Sequence, residues 1–249
     1  MLLQLSTWPE VEKHLERESG IIIPIGSTEQ HGPNGLIGTD AICPETIARG
    51  VGEEACALIA PTLNIGMAQH HMAFAGSMTL RPSTLIAVIK DVVDSLARHG
   101  FDRFYFLNGH GGNIATLSAA FSEIHTERSL GTGAGNTAAV RCKAANWWMG
   151  PKVKKLAEKL FGNAEGSHAT PSEVSLSFYA HPDAVKSVEM SPRIAPRGGF
   201  HDAEDYRRRF PDGRIGSDPS LASVEAGERL YHAALGEIAA DYKTFLEAE

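Results

Sequence analysis

The feature that most restricts the fold of this chain is an alternation of short apolar runs with longer amphipathic segments. Residues 21–25 and 101–107 have the length and the β-branched or aromatic composition of buried strands. Two further strands are predicted at residues 56–60 and 138–145. Strands that alternate with helices pair in parallel through helical crossovers, so helices cover both faces of the sheet. The sequence therefore predicts an α/β fold with a largely parallel sheet.

Helical periodicity predicts the elements between and after these strands. Residues 83–99 place apolar side chains on one stripe and end before Gly100, a typical helix stop. Residues 114–125 and 221–246 repeat apolar residues at helical spacing. Residues 191–219 are rich in Gly, Pro and charge, which fits either a solvated surface segment or a loop that folds over a site or reaches a neighbouring subunit. We find no internal repeat or linker and expect one domain over residues 1–249.

Composition excludes several classes of protein. No apolar run is long enough to span a membrane, and residues 1–15 lack the apolar region of a signal peptide. The formal net charge of −7 argues against a nucleic acid as the main partner, although not against a small anionic substrate. The three cysteines form no CxxC pair, so we expect small buried thiols in a reducing cytoplasm rather than a disulfide framework. We expect a cytoplasmic protein that binds neither membranes nor nucleic acids.

The first polar segment begins where the first predicted strand ends, at the edge where open α/β sheets bind ligands. It reads Gly-Ser-Thr-Glu-Gln-His-Gly-Pro over residues 26–33 and is followed by Asp40. Glu29 and His31 are two residues apart and point the same way in an extended chain. One imidazole and two carboxylates suit Zn²⁺, Mn²⁺ or Fe²⁺ better than Ca²⁺ or Mg²⁺. The alternative is a loop salt bridge with a turn aspartate.

The second polar segment, Asn-Gly-His-Gly-Gly-Asn at residues 108–113, follows another predicted strand and opens a helix. Gly111 and Gly112 let the backbone approach a ligand, and a helix N-terminus favours developing negative charge. His110 on such a turn is a candidate ligand. The alternative is a phosphate-cradling turn with an incidental histidine, although the segment is neither GxGxxG nor a P-loop.

The third segment combines a helix start with two titratable residues. Thr170, Pro171 and Glu173 fit the N-cap, N1 and N3 positions of a capping box. The capping box alone is enough to explain a glutamate at position 173. The same carboxylate is equally a candidate metal ligand, and Thr170 would then still cap the helix. His168 precedes the helix and is a candidate general acid or base.

Aromatic residues supply candidate walls for a pocket. His70 and His71 are adjacent and point in opposite directions in an extended chain, so we expect only one of them to face a site. Trp147 and Trp148 end the fourth predicted strand. Either one of them forms a flat wall for a planar substrate, or both pack in the core.

Together these segments resemble the creatininase (creatinine amidohydrolase) family. The matching motifs are P-I-G-S-T-E-Q-H-G-P at 24–33, G-T-D at 38–40, H-x-x-F-x-G-S at 71–77, N-G-H-G-G-N at 108–113 and H-x4-E at 168–173, and residues 212–220 resemble the family's late loop. The resemblance implies a three-layer αβα sandwich with a mainly parallel central sheet. It also implies hydrolysis of C–N bonds in cyclic or small amides, two divalent metal ions (Zn, Mn or Fe) per subunit, and a homo-oligomer, often a hexamer.

The resemblance further assigns roles to residues. It implies that Glu29, His31, Asp40 and His110 are metal ligands, with Asp40 bridging, and that His168 and Glu173 are catalytic. The expected substrate-binding residues are His71, Ser77, Gly111, Gly112, Trp147 and Trp148. In creatininases proper a glutamate two residues after the His110 position holds the second metal, and here that position is Gly112, so we expect Glu173 to supply the missing carboxylate.

The GHGGN form resembles a branch with formamide deformylases and the peptidase of mycofactocin maturation, which points away from creatinine itself. The expected mechanism is attack of metal-activated water on an amide carbon. The metals and the helix N-terminus at residues 111–113 stabilise the oxyanion, and His168 protonates the leaving nitrogen. Two alternatives stay open: a hydrolase or isomerase of a sugar-derived ketone on the same metal site, and a non-enzymatic small-molecule binder.

Overall fold

The computed structural model describes residues 1–131 and 139–248, and within them four parallel strands form one sheet. The strands are β1 (Gly20–Ile25), β2 (Leu58–Ile59), β3 (Arg103–Asn108) and β4 (Arg141–Asn146), in the order β2-β1-β3-β4. The same ranges hold the helices α1 (Trp8–Leu15), α2 (Thr39–Glu54), α3 (Pro82–Ala97), α4 (Asn113–Leu130), α5 (Pro151–Phe161), α6 (Pro171–Ala180), α7 (Ala203–Arg209) and α8 (Val224–Glu247). The predicted α/β fold with a mainly parallel sheet is confirmed.

The pattern of β1 explains why helices lie on both faces of the sheet. All six of its residues are buried. Ile21, Ile23 and Ile25 contact one apolar cluster, whereas Ile22 contacts another on the opposite face. Successive side chains of a strand point to opposite faces, so a continuous apolar run needs two covering layers. We call the two clusters together the sheet core.

The two helical layers are unequal. The face of Ile21 is covered by α3 and α4, and the face of Ile22 by α2, α5, α6 and α8. The residues that these helices contribute to the sheet core include Ile47, Leu85, Ile89, Leu117, Ile124, Val153, Leu176, Leu230 and Tyr242. No helix in the described ranges has the length and apolarity needed to cross a membrane.

Several predicted elements differ from the structure at their ends. β2 is two residues long rather than five, because Cys56 occupies a left-handed turn (φ +55°) just before it, and this cysteine is exposed rather than buried. The prediction that β4 begins at residue 138 falls outside the described residues. Ile114, whose spacing places it with Leu117 and Ile124, is exposed, because the buried face of α4 begins at Asn113 and continues through Thr116 and Leu117, and Ile114 lies to one side of it. α1, α2, α5 and α7 were not individually predicted.

Residues 191–219, which we call the strap, fold over the carboxyl edge of the sheet, while residues 191–194 and 196–199 are exposed to solvent. The strap contains α7 and buries Tyr206 and Phe210. Arg214 is fully buried and holds the strap in shape: its guanidinium donates to the carbonyls of residues 192, 193 and 217 and pairs with Asp212 at 2.7 Å. Both expectations for this segment hold in part: residues 191–194 and 196–199 are exposed, whereas Phe200, Tyr206 and Ile215 line the cavity of the candidate site.

Candidate metal centre and active site

The candidate site lies at the carboxyl edge of the sheet, where β1 and β3 end side by side. The chain leaves β1 toward α2 on one face and leaves β3 toward α4 on the other, which opens a crevice between the two connections. Gly26 and Gly109 bring both connections against the first turn of α2. A Cβ at Gly26 would lie 2.1 Å from the Asp40 carbonyl oxygen, and one at Gly109 would lie 1.9 Å from it. This turn carries the Asp40 side chain.

Two groups of ligand-type side chains meet in the crevice and share Asp40. Glu29, Asp40 and His110 form one group, and His31, Asp40 and Glu173 form the other; in each, the potential ligand atoms lie within 4.8 Å of one another. His31 Nε2 is 3.0 Å from Asp40 Oδ1, and His110 Nδ1 is 2.9 Å from Asp40 Oδ2. The two oxygens of Asp40 therefore face different groups. We call these five residues the ligand cluster.

Backbone carbonyls orient the imidazoles of the ligand cluster. His31 Nδ1 lies 3.0 Å from the Glu29 carbonyl oxygen, and His110 Nε2 lies 3.0 Å from that of Met67. A carbonyl oxygen only accepts, so each of these nitrogens carries the proton. The other nitrogen of each ring faces a carboxylate oxygen of Asp40, and its lone pair becomes available to a metal ion once the proton between the two groups is lost. A metal-ligating histidine typically has this arrangement, with its second nitrogen bonded to a carbonyl or carboxylate.

Burial and neighbouring charges shift the pKa values of the ligand cluster in opposite directions. Burial raises the pKa of the Glu29 carboxyl, and it raises the pKa of Glu173 to about 7. Burial opposes the charged form of His31 and His110 too, but the surrounding carboxylates outweigh it and raise the two pKa values to about 10 and about 9. The same two imidazoles hold the pKa of Asp40 far below its usual range. Three carboxylates around two imidazoles thus form a site that attracts positive charge.

Unsatisfied polar atoms show that the ligand cluster fits metal ions. Both oxygens of Glu29 and Oδ2 of Asp40 are buried, and in the described part of the chain none makes a hydrogen bond. They nevertheless lie 2.9–3.3 Å from imidazole nitrogens. Atoms this close but misaligned for hydrogen bonds converge on a common point, as ligands do. Carboxylate and imidazole donors suit Zn²⁺, Mn²⁺ or Fe²⁺.

Glu173 is placed to cap a helix and to serve the ligand cluster at once. Its Oε1 accepts a hydrogen bond of 2.6 Å from the backbone N–H of Thr170, whose hydroxyl accepts one from the Glu173 N–H, so the predicted capping box of α6 is present. Oε1 also lies 4.0 Å from His31 Nε2. At Gly112, a Cβ would lie 2.3 Å from His110 Nε2 and 2.6 Å from the Met67 carbonyl oxygen. A glutamate there would displace His110.

His168 lies beside the ligand cluster in a defined protonation form. Its Nε2 lies 2.9 Å from the Gln30 carbonyl oxygen and so carries the proton, while Nδ1 faces the cluster, 3.9 Å from Glu29 Oε1. Burial lowers the pKa of His168 well below its usual range, which keeps this ring neutral. The strap fixes its backbone, because the Ser217 hydroxyl donates to the His168 carbonyl at 2.7 Å.

Gln30 joins the strap to the ligand cluster, and the sequence analysis did not single it out. Its Nε2 lies 2.9 Å from each of the Gly213 carbonyl oxygen, His71 Nδ1 and His168 Nε2. Because His168 Nε2 donates to the Gln30 carbonyl oxygen, the two amide hydrogens go to the other two atoms. His71 therefore carries its proton on Nε2, 3.0 Å from Glu29 Oε1. The sequence signal for Gln30 is its position between the two predicted ligands Glu29 and His31.

A cavity of about 570 Å³ opens in front of the ligand cluster. The lining includes the expected residues His71, Gly111, Gly112, Trp147 and Trp148, together with His70, Lys154, Glu158, Glu165, Phe200 and Tyr206. Ser77 instead lies behind Gln30, where its hydroxyl accepts a hydrogen bond from the Gln30 N–H at 3.1 Å. Trp147 is buried in the sheet core and also borders the cavity, so the two expectations for the tryptophans are not exclusive.

The expectation that only one of His70 and His71 faces the site is wrong. Residues Gln69–His71 form a turn of 3-10 helix rather than an extended segment, and both rings border the cavity with centroids 4.1 Å apart. Burial lowers the pKa of His70 to about 4 and that of His71 to about 3. The His70 ring stacks on the Phe200 ring of the strap, with the ring centroids 4.8 Å apart. The two segments are distant in sequence, and no sequence pattern predicts this contact.

Comparison with known proteins gives a consistent set of relatives. A family model described as "Creatinine amidohydrolase" matches residues 4–241. The creatinine amidohydrolase of Pseudomonas putida is 31% identical over 250 residues, which cover 94% of this chain and 92% of that protein. A mycofactocin precursor peptide peptidase of Mycobacterium ulcerans (strain Agy99) is 29% identical over 238 residues, or 91% of this chain and 81% of that protein. A solved structure of a manganese creatininase superimposes with a TM-score of 0.85 at 23% identity over 99% of each chain, which shows a shared fold.

Proposed function

The chain is a hydrolase of the creatininase family, and from that premise we propose that it cleaves a C–N bond of a small cyclic or formyl amide with the help of divalent metal ions. The observation that carries the proposal is the shared carboxylate of Asp40, which faces two ligand groups at once. Glu29 and His110 complete one metal position, and His31 and Glu173 complete the other. Two divalent ions held there would supply Lewis acidity, which activates water and polarises a carbonyl oxygen.

His168 is the proposed proton carrier. Its Nδ1 holds a lone pair toward the ligand cluster while Nε2 is committed to the Gln30 carbonyl. A neutral imidazole in this orientation accepts a proton from the attacking water at Nδ1 and passes it to the leaving nitrogen of the amide. Ser217 and the turn before α6 keep the ring in place, so the proton moves at one defined atom.

The walls of the cavity orient the substrate and exclude water. The proposed binding residues are His71, Gly111, Gly112, Trp147 and Trp148, and Ser77 acts behind them by holding the backbone of Gln30. The start of α4 at Gly111 and Gly112 presents the positive end of a helix to developing negative charge. The cavity volume falls in the range of sites that take whole small molecules.

The test is a screen of amides against protein stripped with a chelator and reloaded with Zn²⁺, Mn²⁺ or Fe²⁺. The panel contains formamides, cyclic amides and, because of the peptidase relative, short peptides. We expect hydrolysis of at least one class, seen as an amine released from a formamide or peptide or as a ring-opened amino acid from a cyclic amide, with the activity lost on chelation and restored by metal. If the metal-loaded protein hydrolyses no amide but converts a sugar-derived ketone, the proposal is wrong and the alternative, a hydrolase or isomerase of such a ketone, takes its place.

Assembly and location complete the proposal. We expect a homo-oligomer, with a hexamer as the form that the family resemblance implies, and a cytoplasmic location. Light scattering coupled to gel filtration measures the mass of the assembly directly. A mass equal to the 26.7 kDa of one chain would contradict the expected oligomer.

A further inference from the structure

The side chain of Gln30 is held in one orientation by backbone groups on both sides. Its Oε1 accepts a hydrogen bond of 2.8 Å from the Gly32 N–H, and its Nε2 donates one of 2.9 Å to the Gly213 carbonyl oxygen in the strap. A backbone N–H only donates and a carbonyl oxygen only accepts, so the two ends of the amide cannot exchange. Gln30 is buried, and a Cβ at Gly213 would lie only 1.9 Å from its Oε1. The amide is therefore a fixed donor.

The fixed amide decides which nitrogen of His71 carries the proton. One hydrogen of Gln30 Nε2 goes to the Gly213 carbonyl, and His71 Nδ1 lies 2.9 Å away to accept the other. A proton on Nδ1 would instead place two donors against each other in a buried contact, which is costly. His71 is thus held with a bare Nδ1 and a protonated Nε2.

The Nε2–H of His71 is available to a bound molecule. His71 lines the cavity, and its Nε2 lies 3.0 Å from Glu29 Oε1. The two atoms are not aligned as a hydrogen bond, because Glu29 Oε1 has no partner in residues 1–131 and 139–248. Nε2 has no partner in these ranges either, yet it is not one of the unpartnered polar atoms that are shielded from solvent. The ring therefore presents an accessible N–H beside a proposed metal ligand.

The same N–H keeps His71 out of the metal positions. A metal ion binds the lone pair of an imidazole nitrogen, and Nε2 has no lone pair to offer while it carries the proton. An N–H beside a metal position instead suits a carbonyl oxygen that binds there, together with the negative charge that develops on this oxygen during hydrolysis.

We infer that Gln30 is a positioning residue, which holds His71 as a hydrogen-bond donor to the carbonyl oxygen of the substrate and prevents His71 from ligating a metal ion. The inference rests on the proposed function and defines the atom and the role of one of its binding residues. The strap takes part, because the Gly213 carbonyl orients the Gln30 amide. No bond is made or broken at His71, and the proton transfer stays with His168.

Solid-state ¹⁵N spectra of Zn²⁺-loaded protein labelled in histidine test the positioning. The His71 signals are those that are absent from His71→Met, and we expect a bare Nδ1 and a protonated Nε2. Gln30→Glu keeps the shape of the side chain but places an acceptor opposite Nδ1, so in mildly alkaline buffer this nitrogen should gain a proton. Gln69→Glu adds the same charge at an exposed position two residues before His71 and should leave the His71 signals unchanged. A bare Nδ1 in Gln30→Glu, or a bare Nε2 in the unmodified protein, would overturn the inference.

Binding of acetohydroxamate, which carries a carbonyl oxygen and binds metal ions, tests the donor without burying a new charge. His71→Met removes the N–H and should weaken binding, measured by calorimetry, by about three- to tenfold, as for the loss of one hydrogen bond. His71→Gln keeps a donor near the place of Nε2 and should retain most of the affinity. Both variants should hold as much Zn²⁺ as the unmodified protein.

Equal affinities of His71→Met and His71→Gln for acetohydroxamate, or loss of Zn²⁺ from either variant, would overturn the inference. Neither the spectra nor the calorimetry depends on turnover. The expected results in a protein that hydrolyses no amide would therefore contradict the proposed function alone.

Discussion

The sheet core and most of the ligand cluster are deeply buried, but the two regions are built from opposite chemistry. Ile22, Phe104 and their neighbours are fully buried and apolar. Glu29 and Asp40 are 0% and 3% exposed, yet they are carboxylates whose oxygens are incompletely hydrogen-bonded in the described structure. Burial of an apolar side chain stabilises the fold by about 1.5–3 kcal/mol, whereas burial of an uncompensated charge destabilises it.

The difference between the two regions shows that burial alone does not reveal the role of a residue. In the sheet core, burial is the source of stability. In the ligand cluster it is a cost that bound cations would offset, because carboxylates and lone pairs from three parts of the chain point at the same space. The two regions should therefore respond in opposite ways to substitution and to metal.

The largest expected effect comes from Asp40→Ala. The shared carboxylate serves both ligand groups, so its removal should abolish metal binding and turnover together, as measured by elemental analysis and amide hydrolysis. Metal should raise the melting temperature of the unmodified protein but not that of the variant, since a ligand stabilises only the state that binds it. Asp91→Ala, on an exposed position of α3, is the matched control. Normal metal content in Asp40→Ala would remove the basis of the account.

His168→Ala should reduce the rate and spare the metal. Loss of a general acid–base catalyst typically lowers the rate by about 10²–10⁴-fold. His168 also forms a group of potential ligands with Glu29 and His31, but the two groups that share Asp40 are complete without it, so we expect unchanged metal content. The exposed His99 provides the control substitution to alanine. Steady-state kinetics with the substrate from the screen would contradict the assigned role if turnover stayed normal.

Whether a feature could be predicted from the sequence depends on how far apart in the chain the contacting residues lie. β1 and the segment after it were predictable, because an apolar run and a following polar motif are local patterns, and the carboxyl edge is where such motifs meet. The capping box of α6 was predictable for the same reason. His31 and Asp40 are nine residues apart, and the intervening turn brings them into contact.

The remaining parts of the site depend on contacts that are distant in sequence. The burial of Arg214 and the placement of Tyr206 follow from how the strap folds onto the cavity, and no periodicity encodes that. The orientation of His70 depends on a single turn of 3-10 helix. The exposure of Ile114 follows from the polar residues Asn113 and Thr116 that occupy the buried face of α4 at its start, which an apolar repeat does not indicate.

Ile22→Ala tests whether the sheet core can be weakened without affecting the ligand cluster. Truncation of a fully buried isoleucine should lower the free energy of unfolding by about 2–5 kcal/mol, measured by denaturant titration. The folded fraction should still bind metal and still gain melting temperature from it, because the ligand cluster is untouched. Loss of metal from folded Ile22→Ala would show that the two regions are not separable.

The smallest effect is expected from a partly buried charge near the protein surface. Burial raises the pKa of Asp94, but hydrogen bonds from Lys90 and Arg128 outweigh it, so that the pKa is lowered in the folded protein. Such a group stabilises the fold above its unfolded pKa of about 4 and loses this contribution as the pH falls through the lower folded value. Asp94→Asn should therefore cost less than about 1 kcal/mol at neutral pH and less still in acid. Denaturant titrations at both pH values measure it, and a larger cost in acid would contradict the assignment.

The central claim is that Asp40 joins two metal positions, with Glu173 in place of the carboxylate that Gly112 lacks. The most direct measurement is the number of metal ions per chain, by elemental mass spectrometry on tag-free protein reloaded with Zn²⁺, Mn²⁺ or Fe²⁺ and freed of excess ion. The account predicts a value near two. A value near one would leave Glu173 as a helix cap alone, and a value near zero would contradict the metal-dependent mechanism altogether.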